Sequence, residues 1–202
     1  MPEIISITDK ISYIPASRSP LSSDIGLIAG QKALWLFDVG DGPAAAETVN
    51  SFNGPKNAVI SHFHKDHMGN LEEINPNKIY LGANTYRYVN RGEIIEKDVY
   101  IEDGVNLHIF PLPSSHAKGS VGLEVDGRYA FLGDGIYSTA KQGRECYNSS
   151  VLKEEIDVLK NLKAEYFLLS HTAGLIKNRE EVLSELEKIY SQRDPRQSYI
   201  FL

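Results

Sequence analysis

Histidine and aspartate residues are concentrated in one hexapeptide of the sequence, His62-Phe63-His64-Lys65-Asp66-His67. Three of the six histidines of the chain lie within it. In an extended segment His62 and His64 project to the same side and can bind one metal ion, while Asp66 and His67, beyond a turn, can reach a second. Imidazole and carboxylate groups suit Zn, Fe or Mn better than Mg or Ca. The spacing therefore predicts a metal site, and a solvated histidine loop explains this density less well.

Four apolar segments of the chain end directly in an aspartate or a histidine. Functional groups of α/β folds gather at the carboxyl ends of strands, because rigid strands there position the loops that follow. We therefore expect the four ends to meet at one edge of the folded domain, although they come from both halves of the sequence. The four junctions are residues 35–37 before Asp38, 59–61 before His62, 131–133 before Asp134, and 168–170 before His171.

Short strands and helices alternate around these junctions. Apolar runs bounded by turn residues predict strands at residues 4–7, 11–14, 25–29, 33–37, 58–60, 78–81, 105–110, 120–125, 128–132 and 166–169. Turn signals and helical spacing of apolar residues predict helices at 43–52, 71–74, 84–90, 151–159 and 182–190. Asp126-Gly127 is a strong signal for an antiparallel hairpin. This order predicts a mixed α/β sandwich rather than a simple parallel array.

Composition and charge limit the classes of partner. A formal net charge of -6 argues against a protein that holds nucleic acid by phosphate contacts. No stretch approaches the roughly 20 apolar residues of a membrane span, and the start Met1-Pro2-Glu3 lacks the order of a signal peptide. The single cysteine, Cys146, cannot form an internal disulfide. We therefore expect a cytoplasmic protein with no nucleic acid and no membrane among its partners.

The hexapeptide and the residues that follow it resemble the metallo-β-lactamase superfamily, whose hallmark is the motif HxHxDH. The later ligands of that family have counterparts in order: His116 near Gly119, Asp134 between two glycines, and His171 after a strand. Asp38, at a strand end before glycines, matches an early aspartate of the family. The resemblance spans about residues 20–175. It implies a four-layer αβ/βα sandwich of two mixed sheets with outer helices, formed by residues 1–202 as a single domain.

The resemblance also assigns roles to these residues. His62, His64 and His116 would hold a first metal ion, and Asp66, His67 and His171 a second. Asp134 would bridge the two ions, and Asp38 would support the metal-binding loop without binding metal. The implied cofactors are two divalent ions, with zinc expected and iron or manganese as alternatives. Lys118 departs from the proline often found after the third histidine, which leaves the local shape of that loop open.

By the same resemblance, the protein would be a dinuclear metal-dependent hydrolase in which a metal-bridging hydroxide attacks an ester, thioester, lactone or phosphodiester bond. Asp66 would handle the released proton, and Tyr137 matches a position where lactonases of the family place a tyrosine that contacts the substrate. The chain has no room for the added domains of the thioesterases and nucleases of the family. We therefore expect a small-molecule substrate.

Other functions remain open on the same residues. An iron-dependent oxidoreductase, either a sulfur dioxygenase or a diiron protein, would use the same fold. The diiron proteins usually have glutamate in place of the second histidine of the motif, whereas this chain has His64. A non-catalytic metal-binding module normally lacks ligands, and none is missing here.

Two further segments carry expectations of their own. His108 lies in an alternating strand and is expected to face solvent rather than a metal. The apolar end of the chain, Tyr199-Ile200-Phe201-Leu202, is expected to dock on its own sheet, with docking on a second copy in a homodimer as the alternative.

Overall fold

Two mixed β-sheets face each other at the centre of the protein, in a computed structural model that describes residues 2–202. The first half of the chain forms the first sheet and a separate two-stranded hairpin at residues 17–22. Its elements are β1 (Ile5–Ser6), β2 (Ile11–Ile14), β3 (Ser17–Arg18), β4 (Leu21–Ser22), β5 (Ile25–Ala29), β6 (Leu34–Phe37), α1 (Pro43–Asn50), β7 (Lys56–Ile60), α2 (Lys65–Met68), α3 (Leu71–Ile74), β8 (Lys78–Leu81), α4 (Ala83–Val89) and β9 (Glu93–Ile94).

The second half forms the second sheet and a small third one. Its elements are β10 (Val99–Glu102), β11 (Asn106–Leu112), β12 (Ser120–Val125), β13 (Tyr129–Gly133), β14 (Thr139–Lys141), β15 (Arg144–Asn148), α5 (Ser149–Asn161), β16 (Tyr166–Leu169), β17 (Ile176–Asn178), α6 (Arg179–Ser191) and β18 (Tyr199–Phe201). The strand order is β1-β2-β5-β6-β7-β8-β9 in the first sheet and β10-β11-β12-β13-β16-β17 in the second. Strands β6 to β9 are parallel, and so are β13 and β16.

The layers follow from the period of two along the strands. In β6, Trp35 and Phe37 pack in the core between the two sheets, while Leu36 packs against α1 and α3 on the other face. In β13, Phe131 enters the inter-sheet core and Leu132 packs under α5 and α6. Strands covered on both faces have continuous apolar sequences, as these do. The result is the predicted four-layer αβ/βα sandwich, with helices on both outer faces.

Most predicted elements are present within a residue or two of their expected ends. The Asp126-Gly127 turn joins β12 and β13 as an antiparallel hairpin, and both residues have positive φ, as the central residues of a type I′ turn do. The helix predicted at 43–52 ends at Asn50. The apolar C-terminal segment pairs as β18 with β15 of the same chain, in agreement with the intramolecular prediction. Among residues 2–202, no helix is long and apolar enough to cross a membrane.

The prediction that His108 faces solvent is wrong. Its side chain is half-buried on β11, stacked on Tyr100 with ring centroids 4.5 Å apart. Its Nδ1 lies 3.1 Å from Glu124 Oε2, and its Nε2 lies 3.4 Å from Asp98 Oδ1. Burial lowers the pKa of His108, but these two carboxylates outweigh it, so the pKa is raised. The alternation of the strand gave the correct face, but Asp98, just before β10, and Glu124 in β12 supply the carboxylates that cover it.

Glu155 is a buried carboxylic acid in the apolar layer under α5 and α6. It is 0% exposed, and neither carboxylate oxygen has a hydrogen-bond partner within residues 2–202. Burial raises the pKa of Glu155 well above its usual value. The folded protein therefore keeps this proton to higher pH than the unfolded chain, so raising the pH through that range lowers the free energy of unfolding.

We expect Glu155→Met to raise the free energy of unfolding by about 2 kcal/mol at pH about 8, because no carboxylate must then be buried or protonated. The gain should be smaller at pH about 5, where the acid is already neutral in the fold. Denaturant unfolding at both pH values measures it. Glu154→Met, the same change at the exposed neighbouring position, is the control. An equal gain in the free energy of unfolding at both pH values would contradict the conclusion that Glu155 is protonated in the folded protein.

Candidate metal centre

The predicted site residues meet at the edge where parallel strands of both sheets end. Asp38 directly follows β6, and Asp134 directly follows β13. One residue separates His62 from the end of β7 and His171 from the end of β16. The backbones approach closely here. A Cβ atom on Gly133 would lie 2.8 Å from Ser61 Cβ, so only glycine fits before Asp134. The two sheets therefore bring their strand ends together at this edge.

Two groups of potential metal-binding residues lie side by side. Ligand atoms of His62, His64 and His116 all lie within 4.8 Å of one another, and so do those of Asp66, His67 and His171. In the first group, His64 Nδ1 lies 2.9 Å from His62 Nε2 and 3.2 Å from His116 Nε2. In the second, His171 Nε2 lies 3.0 Å from Asp66 Oδ2. Each group has the size of a coordination shell around one ion.

Asp134 lies between the two groups. Its Oδ2 is 3.5 Å from His116 Nε2 of the first group. The same oxygen is 3.4 Å from His67 Nε2 and 3.9 Å from His171 Nε2 of the second group. One carboxylate oxygen is thus within reach of ligand atoms on both sides, which is the position that a bridging ligand requires.

Two buried polar atoms in this cluster have no hydrogen-bond partner among residues 2–202: His67 Nε2 and Asp134 Oδ1. Buried polar atoms are almost always paired, so two unpaired atoms in one cluster point to a missing partner. Asp38 Oδ2 accepts a hydrogen bond from His67 Nδ1 at 2.7 Å, so Nε2 is the ring atom that faces Asp134. The donor set of imidazoles and carboxylates fits a pair of divalent metal ions.

The protonation of the cluster follows from burial and the charges around it. Burial, together with the neighbouring rings of His67 and His64, lowers the pKa of His62, so the ring stays neutral with one nitrogen lone pair available. Burial also disfavours the charged form of His67, but the carboxylates of Asp38 and Asp134 raise its pKa to about 10. The carboxylates on both sides of this ring favour positive charge there. The same negative charge would attract a metal cation.

Asp38 supports the hexapeptide, as the sequence predicts. Its carboxylate accepts hydrogen bonds from the backbone N–H of Ser61 at 2.7 Å and the hydroxyl of Ser61 at 2.8 Å, besides the bond from His67. Asp38 itself has a left-handed backbone with φ of 60°. It thus connects the ends of β6 and β7 to the second group of ligands.

Asp24 is a supporting residue that sequence reasoning missed. Its Oδ2 accepts from the backbone N–H of His171 at 3.0 Å and the hydroxyl of Ser170 at 3.2 Å, and its Oδ1 accepts from the backbone N–H of Ala16 at 3.0 Å. His171 has a left-handed backbone with φ of 61°, which costs energy outside glycine and persists only when such contacts hold it. Asp24 therefore holds the turn that presents His171.

Tyr137 lies beside the cluster, with its ring centroid 6.3 Å from that of His116. Its hydroxyl donates to the backbone carbonyl of Ser170 at 2.5 Å, so this donor is already in use. Burial raises the pKa of Tyr137 above its usual range, which keeps the hydroxyl protonated. The contact with the residue before His171 favours a positioning role over direct donation to a substrate.

We expect Tyr137→Phe to lower the free energy of unfolding by about 1 kcal/mol, because one buried hydrogen bond is lost. The kcat on any substrate that the wild type hydrolyses should stay within a factor of about 3. Denaturant unfolding and steady-state kinetics measure the two effects. A kcat loss of about 100-fold at unchanged stability would instead restore the tyrosine as a donor to the substrate.

A cavity of about 780 Å³ opens over the metal-binding residues. His64, Asp66, His116, Asp134 and His171 form its floor. Strands β3 and β4 form one wall, and the loop of residues 172–175 after His171 forms another. A cavity of this size suits a small molecule.

No family model matches the sequence, and no curated protein matches it. Solved structures do match over almost the whole chain. A B3 metallo-β-lactamase with an active-site glutamic acid is 12% identical, with 96% of this chain and 90% of that chain covered and a TM-score of 0.73. A chemotaxis sensor, ODP, solved as a peroxy diiron species, is 16% identical, with 93% and 94% covered and a TM-score of 0.70.

A flavoprotein from Thermotoga maritima is 15% identical with a TM-score of 0.71, and 97% of this chain covers 63% of it. The chain therefore has the metallo-β-lactamase fold, as the resemblance of its motifs predicts. The similar structures include a lactamase and a diiron protein, so the fold by itself does not select one reaction.

Proposed function

We propose that the protein is a dinuclear metal-dependent hydrolase that cleaves an ester, thioester, lactone or phosphodiester bond of a small molecule. The observation that carries the proposal is the position of Asp134, with one oxygen between two groups of ligands and the other buried without a hydrogen bond. Zinc is the proposed metal.

The proposed roles follow the grouping of the side chains. His62, His64 and His116 would hold one ion, Asp66, His67 and His171 the other, and Asp134 would contact both. Two ions bound there would lower the pKa of a shared water and polarise the oxygen of the bond to be cleaved. Asp66 lines the cavity and is close to His171, so its carboxylate can accept a proton on the side open to substrate.

An iron-dependent oxidoreductase is the second candidate, because the diiron chemotaxis sensor shares the fold over 93% of this chain. His64 supports the hydrolase, since the diiron relatives usually have a glutamate at this position. Both candidates use the same ligands, so metal identity and reaction must be measured together.

The test is a panel of thioesters, lactones, phosphodiesters and β-lactams, offered to protein whose metal content has been measured. The same protein, purified without oxygen, is assayed for oxygen uptake with glutathione persulfide. Hydrolysis by the zinc-loaded form, lost on chelation and restored by zinc, is the expected result. Iron in the purified protein together with oxygen uptake and no hydrolysis would replace the hydrolase by the oxidoreductase.

A further inference from the structure

A short hairpin stands over the proposed metal centre. Strands β3 and β4 pair antiparallel with Arg18 opposite Leu21, and we call residues 17–22 the flap. Ser17, Arg18 and Leu21 line the same cavity as the metal-binding residues on its floor. The flap and the metal-binding residues therefore border the same cavity.

Among residues 2–202, Arg18 is the only lysine or arginine that lines this cavity. Within residues 2–202 no carboxylate lies within ion-pair distance of its guanidinium, and no other hydrogen-bond acceptor is in contact with it; the side chain is exposed. The carboxylates on the cavity floor instead face the histidines. A guanidinium presents several N–H donors in a flat fork that matches the two oxygens of a carboxylate or phosphate. The fork of Arg18 is thus free for a ligand.

Apolar side chains accompany this cation. Leu21, across the hairpin from Arg18, is 56% exposed, and Ile5, Ala173 and Leu175 also line the cavity. Exposed leucine on the rim of a cavity would be covered by an apolar part of a ligand. The flap therefore offers one cation next to one apolar surface.

The base of the flap is fixed to the metal-binding loops. The backbone N–H of Ala16, just before the flap, donates to Asp24, the residue that also holds His171. The backbone N–H of Ser23, just after it, donates to the carbonyl of Asp66 at 2.8 Å. One flank of the flap is thus bonded to Asp66 of the second ligand group, and the other to Asp24, which holds His171 of that group. This attachment holds the two ends of the flap backbone beside the metal-binding residues.

We propose that Arg18 binds an oxyanion of the substrate, a carboxylate or a phosphate, while the bond to be cleaved lies over the metal-binding residues. The proposal rests on the proposed function and narrows its substrates to anionic esters, thioesters or lactones with an apolar segment near the anion. Arg18 acts as a specificity residue and takes no part in the bond cleavage.

The test uses metal-binding thiols of matched length that end in a carboxylate, a phosphonate or a neutral amide, with two to four methylene groups between the ends. Calorimetry measures their binding to the zinc-loaded protein. At one length or more, an anionic thiol should bind about 10-fold more tightly than its amide, as expected for a charge-assisted hydrogen bond. In Arg18→Gln this ratio should fall to about 1. If the carboxylate thiol has the larger ratio of affinity over its amide, Arg18 prefers a carboxylate. If the phosphonate thiol has the larger ratio, Arg18 prefers a phosphate.

Arg193→Gln is the matched control, because it removes the same charge from an exposed arginine that stacks on Tyr190, away from the cavity. It should keep the ratio of the wild type. Thiols that all bind, with no preference for the anion at any length, would overturn the role of Arg18 and leave the metal centre standing. No binding of any thiol to zinc-treated protein would overturn the metal centre, and the inference with it.

Discussion

Replacing Asp134 by asparagine is expected to lower the rate of hydrolysis by at least about 100-fold and to leave fewer than two zinc ions bound per chain. The carboxylate of Asp134 contacts ligand atoms of both groups, and its charge would offset part of the charge of two cations. An amide of the same shape keeps the packing but supplies one neutral oxygen and an N–H₂ group that cannot bind metal. The loss should therefore fall on metal binding and not on the fold.

Three measurements separate these effects. Zinc per chain is measured after dialysis, hydrolysis is measured with the substrate found in the panel, and thermal unfolding is followed with and without zinc. A ligand at 1,000 times its dissociation constant stabilises by about 4 kcal/mol, or roughly 10 °C in a chain of this size. Asp134→Asn should lose most of that gain yet match the wild type in a chelator. Asp9→Asn, an exposed aspartate in a turn, is the control. Two tightly bound zinc ions in Asp134→Asn would contradict the bridging role.

Asp38→Asn is expected to lower the free energy of unfolding by about 3 kcal/mol and to weaken zinc binding by about 10-fold to 100-fold. Asp38 is fully buried, and its two oxygens accept three hydrogen bonds, two from Ser61 and one from His67. In asparagine an N–H₂ group replaces one of these oxygens. This group faces another donor, so the hydrogen bond at that position is lost. His67 then loses the partner that orients its free Nε2.

Asparagine is the informative substitution because it tolerates the left-handed backbone of this position, whereas alanine would add strain. Denaturant unfolding in a chelator measures the stability, and competition with a zinc-binding dye measures the affinity. Asp126→Asn makes the same change at an exposed aspartate with a left-handed backbone in the β12–β13 turn. If zinc affinity were equal in Asp38→Asn and Asp126→Asn, Asp38 would have no part in ordering the metal centre.

Much of the site could be predicted because its signals are local. The hexapeptide concentrates four potential ligands, and strands with continuous apolar sequences end directly before Asp38 and Asp134. A buried strand must be apolar on both faces, so its end is visible in the sequence as a sudden polar residue. His116 has no such strand before it, and its place in the set came only from the family resemblance.

The parts that could not be predicted depend on contacts between distant segments. Asp24 bonds to Ser170, 146 residues away, and nothing near Asp24 in the sequence distinguishes it from a turn residue. The hydrogen bond of Tyr137 to the carbonyl of Ser170 depends on how β13 and β16 lie in the sheet. The partners of His108 come from neighbouring strands in the same way. Strands β14 and β15 also escaped prediction, because their sequences are short and polar.

The separation of the ligands along the chain also affects the order of events in folding. Asp66 and His171 lie 105 residues apart, and pairings between such distant segments must overcome a large loop-closure entropy, so they form late and slowly. The hexapeptide is local and can capture an ion in the unfolded chain before the two halves meet. If zinc is the metal, its presence during refolding would stabilise the unfolded ensemble as well as the folded protein, and the net gain in stability would be smaller than the affinity of the finished centre implies.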